Sequence, residues 1–140
     1  MRVAVDTELL VRAVDTNLLV RAVVSDDPDQ ARAAAQILTE AKLIAVAIFC
    51  LCEFVWLLRR VYGFEANDVA RAIRALLTMK NVEVNRPAAE AGLSLLEAGG
   101  DFADGVIAYE ARWLGGETFV SFDRAAASSL TEQGESARLL

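Results

Sequence analysis

The chain of 140 residues contains no histidine. Ser-His-Asp and Cys-His catalysis, histidine-bound zinc and imidazole acid–base chemistry are therefore excluded. Cysteine is nearly as scarce. Cys50 and Cys52 stand two apart in an apolar stretch, too few and too close for a disulfide framework or a four-ligand zinc site. They read as small core residues in a reducing cytoplasm. Long apolar runs are missing too: the longest, LIAVAIFCLC, has ten residues, against ~20 for a bilayer span. Asp6 and Glu8 fall where a signal peptide needs its apolar segment. A cytoplasmic protein without a membrane partner is expected.

What the chain does have is apolar residues and acids. Hydrophobic residues make up 55% of it, enough to bury a substantial core, and the length suits one compact domain over residues 1–140. The net charge of −6 argues against a generic nucleic-acid binder with a basic face. Four acids weaken that argument, because they sit at the ends of or inside apolar runs. Asp15 closes LLVRAVD, Glu53 interrupts IFCLCEFVWLL, Asp104 opens DGVIAYEA and Asp123 ends TFVSFD. Setting them aside leaves sixteen acids against fourteen bases. An ionised carboxylate buried without a partner is costly or takes up a proton. Four in apolar context predict a compensating cation, and a hard oxygen-seeking ion, Mg²⁺ or Mn²⁺, suits carboxylates best.

Residues 4–12, AVDTELLVR, are followed at once by AVDTNLLVR, identical but for Glu8 against Asn17. Two short copies do not make a solenoid. Residues 1–8 read as an N-terminal extension from a duplicated nonapeptide, and Asp15, not Asp6, as the working aspartate. From there the spacing predicts a strand over about Leu10–Asp15 and a short helix in NLLVRAVV. A second helix follows in SDDPDQARAAAQIL, with Asp27 as cap, Pro28 at the first position and Gln30 at the capping-box position. LIAV is a second strand, and residues 48–62 form a largely buried helix ended by Gly63. NDVARAIRALLTMK is amphipathic, with Val69, Ile73, Leu76 and Leu77 on one face. NVEVN alternates as a strand, and Pro87 begins a helix that Gly99 and Gly100 stop. DFADGVIAYEARWL is a helix, Gly115-Gly116 a turn, TFVSF a strand and AAASSL a short helix. Short apolar strands alternating with helices predict an α/β fold with a parallel sheet covered on both faces.

In such a sheet, ligands gather at the carboxyl ends of strands, where Asp15 and Asp123 fall. Each acid also has an ordinary role open to it. Asp15 can cap the helix that follows it. Asp101 and Asp104 are spaced as an N-cap and its third helical position, and capping is the favoured role for Asp101. Asp123-Arg124 can be a turn with a surface ion pair. Glu53 is hardest to explain this way, since Phe49, Cys50, Leu51, Cys52, Phe54, Val55 and Trp56 around it are all apolar; the alternative is an amphipathic helix that turns Glu53 to solvent, with Arg60 two turns on along roughly the same face. A phosphoacceptor site at Asp26-Asp27 fits poorly, because SDDP introduces a helix instead of ending a strand.

The ordered set D-T-N-L-L-V-R…D-D-P, C-E-F-V-W-L-L-R-R-V-Y-G, D-F-A-D-G-V-I-A and F-V-S-F-D-R, spanning roughly residues 13–127, resembles the PIN-domain ribonucleases, and most closely the VapC-type toxins of bacterial toxin–antitoxin pairs. The resemblance implies a three-layer α/β/α PIN-like domain with a short central parallel sheet. By position it puts the family's catalytic and metal-holding acids on Asp15, Glu53, Asp104 and Asp123, with Asp101 a neighbouring, less constant acid and Asn17 and Ser121 as polar supports. Ser121 stands where the family often has threonine, which keeps the hydroxyl.

The implied activity is Mg²⁺- or Mn²⁺-dependent endoribonuclease cleavage leaving a 5′-phosphate and a 3′-hydroxyl. The implied partners are RNA, a small antitoxin and a second copy of the chain. Arg59, Arg60, Arg112 and Arg124 are available for RNA phosphates. The competing expectation is a catalytically silent PIN-like module that acts by binding protein or RNA partners.

Overall fold

A computed structural model describes residues 11–140. Asp6 and the expected extension over residues 1–8 lie outside the described residues. The chain forms two compact units, one ending at Val84 and the other running from Asn85 to Leu140.

Among the described residues, the first unit has a three-stranded parallel sheet and four helices. Strand β1 (Val11–Ala13) pairs with β2 (Leu43–Ala45), and β2 with β3 (Val82–Glu83), so β2 is central. The helices are α1 (Thr16–Val23), α2 (Pro28–Glu40), α3 (Ile48–Arg60) and α4 (Ala66–Thr78). The strands are shorter than the alternation in VRAVD and NVEVN predicts, because polar side chains at their ends serve the backbone instead. Asp15 leaves the strand to cap α1, and Asn81 donates its amide to the carbonyls of Leu38 (2.8 Å) and Ala41 (2.9 Å) at the end of α2. The start of α2 is as expected: Asp27 accepts from the Gln30 amide at 3.1 Å, with Pro28 in the first turn. Asp26 pairs with Arg21 at 2.6 Å, so both acids of SDDP have structural work.

Around Ile44 the core gathers Leu19, Val20, Leu51, Phe54, Leu58, Val69 and Ile73, all essentially excluded from water. Helix α4 buries the apolar face predicted for it. Helix α3 differs from expectation. Leu51, Phe54, Val55 and Leu58 are buried, but Phe49, Glu53 and Trp56 share an exposed stripe, the i, i+4, i+7 spacing of one helical face. An almost wholly apolar sequence conceals this amphipathicity. Cys50 and Cys52 are half-buried instead of core residues, and the Cys50 thiol points to the Val14 carbonyl at 3.7 Å.

The second unit contains α5 (Arg86–Glu97), α6 (Phe102–Trp113), β4 (Phe119–Ser121), α7 (Arg124–Glu132) and β5 (Ala137–Leu139), with β4 and β5 parallel. Strand β5 lies in a polar tail where no strand was expected. Asn85 caps α5, and Gly99, with φ of 95°, takes the left-handed conformation that ends it. Helices α5 and α6 pack closely through Gly92 and Gly105, and Leu95, Ala108 and Leu130 form a cluster against which Phe119 and Ala137 pack. Among the described residues, no helix is long and apolar enough to cross a membrane.

Candidate active site

The expectation that four acids are individually buried is not met. Asp15, Glu53 and Asp123 are exposed and Asp104 is half-buried. The physical reason is their position. They stand at element ends or on the open stripe of α3, where the carboxylate projects outward, and Phe49, Trp56 and Phe122 near them are exposed as well.

In the first unit, Asp15 and Glu53 line one cavity of about 470 Å³ together with Thr16, Asn17, Trp56 and Leu57. Asp15 is the N-cap of α1, its Oδ1 accepting from the Leu18 amide at 2.9 Å. Glu53 Oε1 accepts from the Thr16 hydroxyl at 2.7 Å, a bond between α1 and α3 that orients the carboxylate. Asn17 lies on the cavity wall beside them. Thr16 and Trp56 were missed as site residues. The signal for Thr16 was a hydroxyl directly after a strand-ending aspartate; that for Trp56 was its place one turn beyond Glu53.

In the second unit, Asp123 caps α7 through Oδ1, which accepts from the amides of Ala125 (2.9 Å) and Ala126 (3.2 Å). Ser121 Oγ accepts from the Asp123 amide at 2.9 Å and so fixes the turn that presents this acid. Asp104 is in the first turn of α6. Partial burial, and then the negative charges of Asp101 and Asp123, push its carboxyl up from 3.8 to about 6. Asp101 occupies the N-cap position but makes no side-chain capping bond, contrary to the capping role favoured for it. Arg112 is engaged by Glu135 and lies 5.7 Å from the centre of the Tyr109 ring, while Arg59, Arg60 and Arg124 are exposed.

Among the described residues, no three Asp, Glu, Cys or His side chains stand close enough to hold a metal ion. The donors nevertheless fit a divalent ion chemically. All are oxygens, the caps of Asp15 and Asp123 engage one oxygen each, and Asp104 is an anion destabilised by partial burial and then by like charge, which a hard cation relieves. A family model described as PIN domain matches residues 12–128. The chain belongs to the PIN domain family. No curated protein matches it. The fold is accordingly α/β with parallel strands, the type PIN domains share, and members of this family are generally nucleases that use divalent metals.

Proposed function

We propose that this PIN-domain protein is a Mg²⁺- or Mn²⁺-dependent endoribonuclease and the toxin of a toxin–antitoxin pair. The observation that carries the reading is the cavity on which Asp15 and Glu53 lie together, their carboxylates oriented by the Leu18 amide and the Thr16 hydroxyl. Partial burial and the charges of Asp101 and Asp123 raise Asp104 in the second unit, a perturbation that is useful where a cation binds. In this reading the acids that would bind divalent ions are Asp15 and Glu53 in the first unit and Asp104 and Asp123 in the second, with Asp101 as an auxiliary acid. A divalent ion supplies activation of water, neutralisation of phosphate oxygens and stabilisation of the leaving alkoxide.

The chain's own residues prepare for that chemistry. The Thr16 hydroxyl keeps one oxygen of Glu53 occupied and sets the direction of the other. Ser121 and the α7 amides do the same for Asp123. Asn17 offers an amide on the cavity wall. The products are a 5′-phosphate and a 3′-hydroxyl. Exposed Trp113, Leu114 (90% exposed) and Phe122 in the second unit support burial against protein, either a small antitoxin or a second copy in a cytoplasmic homodimer.

The test is cleavage of single-stranded RNA by purified protein with Mn²⁺. EDTA stops it, and Asp104→Asn loses at least about 100-fold in kcat/KM while melting cooperatively. Equal cleavage by wild type and Asp104→Asn would replace the enzyme with the silent binding module. Co-expression with the product of the adjoining small reading frame tests the toxin role through rescue of growth.

A further inference from the structure

The cavity beside Glu53 has two unlike walls. Asp15, Thr16, Asn17 and Glu53 make one polar; Trp56 and Leu57 make the other apolar. Trp56 is 56% exposed although it is one of the largest apolar side chains in the chain, and Phe49, 68% exposed, lies on the same stripe two turns back. Leaving indole in water forfeits hydrophobic stabilisation that a core position would provide. Its neighbours in α3 show that burial was available: Phe54 and Val55 are inside.

Glu53 and Trp56 are three residues apart, so their Cβ atoms stand about 5–6 Å apart on one helical face. A nucleotide matches both walls once a cation is present: its flat π surface suits the apolar wall, and its anionic phosphate would be accepted at Asp15 and Glu53 through the divalent ion of the nuclease reading. We infer that Trp56 stacks on an unpaired base of the RNA strand whose phosphate lies at the carboxylates, making it a specificity residue for single-stranded substrate. The inference rests on the nuclease reading above and deepens it. Duplex RNA has its bases stacked on each other and cannot offer a free face; single strands can, and aromatic platforms are the usual way proteins hold them. Asn17 borders both this cavity and a second one of about 420 Å³ that continues along α1 past Arg21, which gives the strand a path beyond the stacked base.

The test uses the full chain. In kinetics with Mn²⁺ and a single-stranded oligoribonucleotide, Trp56→Ala raises KM about 5- to 100-fold, the range base–aromatic stacking supplies, with a smaller change in kcat. Trp56→Phe restores most of the loss and Trp56→Leu, equally apolar but without a π face, does not. The chain has two tryptophans, so Trp113→Phe isolates the Trp56 signal. Combined with Asp104→Asn to prevent cleavage, that variant shows fluorescence quenching by the oligoribonucleotide and much less by an abasic strand of equal length and charge. A KM for Trp56→Ala within about twofold of wild type, or equal quenching by the abasic strand, overturns the stacking role. So does a dimer that falls to monomer in Trp56→Ala with KM unchanged, which assigns the stripe to a second copy. In each of these cases the nuclease reading survives if wild type cleaves. A folded wild type that neither binds nor cleaves single-stranded RNA overturns both.

Discussion

Gly105→Ala is the substitution whose cost the structure defines most sharply. In a solvent-exposed helix the change would stabilise, by about 1 kcal/mol on helix propensity. Here the new Cβ would stand 2.4 Å from the Ala91 carbonyl oxygen, 2.9 Å from Gly92 Cα and 3.0 Å from the Ala91 carbonyl carbon. All three are backbone atoms, so no rotamer change relieves the overlap. Ordinary contact begins near 3.4 Å, and α6 must therefore move away from α5 by about 1 Å. Between these helices Leu93 and Phe102 are fully buried and Leu96 and Val106 nearly so. Overpacking at such a contact costs about 1–3 kcal/mol, and the breadth of this interface places it at the upper end. After the propensity gain the net loss is about 2 kcal/mol.

For a chain of this size that loss lowers the Tm by about 6–12 °C. Asp104 precedes Gly105 on the same turn, so kcat falls further than the lost stability explains, since a displacement of about 1 Å can cost about 100-fold. Urea and thermal melts of both proteins, with cleavage measured well below either Tm, give the two numbers. A Gly105→Ala protein as stable as wild type, or more so, would refute the close backbone approach as the reason for glycine here.

Three further outcomes follow from the carboxylates. Asp104 is raised to about 6 in the fold against 3.8 as its ordinary value, so the folded state binds this proton more tightly. Its contribution is complete below about pH 3.8 and is lost as pH climbs through about 6. The unscreened shift corresponds to about 3 kcal/mol, which solvent at this half-exposed group reduces to about 1 kcal/mol. Asp104→Asn in EDTA removes that dependence, read as the difference between urea-melt stabilities across pH 4–7, and an unchanged slope contradicts it. Millimolar Mg²⁺ raises the wild-type Tm by mass action and leaves that of Asp104→Asn nearly unmoved; identical shifts would place the ion elsewhere. Asp15→Asn retains the α1 cap and stays within a few tenths of a kcal/mol of wild type but loses cleavage, whereas Asp15→Ala loses cleavage and about 1 kcal/mol; an active Asp15→Asn would remove Asp15 from the ligand set.

Helices were legible from the sequence where caps and periodicity agree. Asp27-Pro28 and the Val69, Ile73, Leu76 and Leu77 face are instances in which local chemistry and burial point the same way. Strand β5 was not legible, because three residues in a polar tail carry no detectable alternation, and only pairing with β4 makes them a strand. Helix α3 misled for a different reason. Hydrophobicity marks what can be buried, and Phe49 and Trp56 are apolar residues that the fold leaves in water, so Glu53 looked more enclosed than it is. Thr16 was hidden because its partner is 37 positions away, a pairing that no local pattern encodes.

Capping and metal binding were weighed as alternatives for Asp15, Asp123 was expected in a turn but caps α7, and the hydrogen bonds show that the two roles need not compete. A cap uses one carboxylate oxygen to accept from amides in the first helical turn, and here Asp15 and Asp123 each use Oδ1 in this way. The bond fixes χ1 and χ2 of a short side chain, so the second oxygen projects in a set direction before any ligand arrives, and a fixed donor loses little entropy on binding. Asp101 illustrates the converse. It holds the cap position without the capping bond, so its carboxylate lacks that restraint while its charge still raises Asp104. A short strand, an aspartate and a helix start thus form one unit that both ends the strand and aims a carboxylate. The chain uses it after β1 and again after β4, and the nonapeptide duplication carries a second D-T pair into the N-terminus.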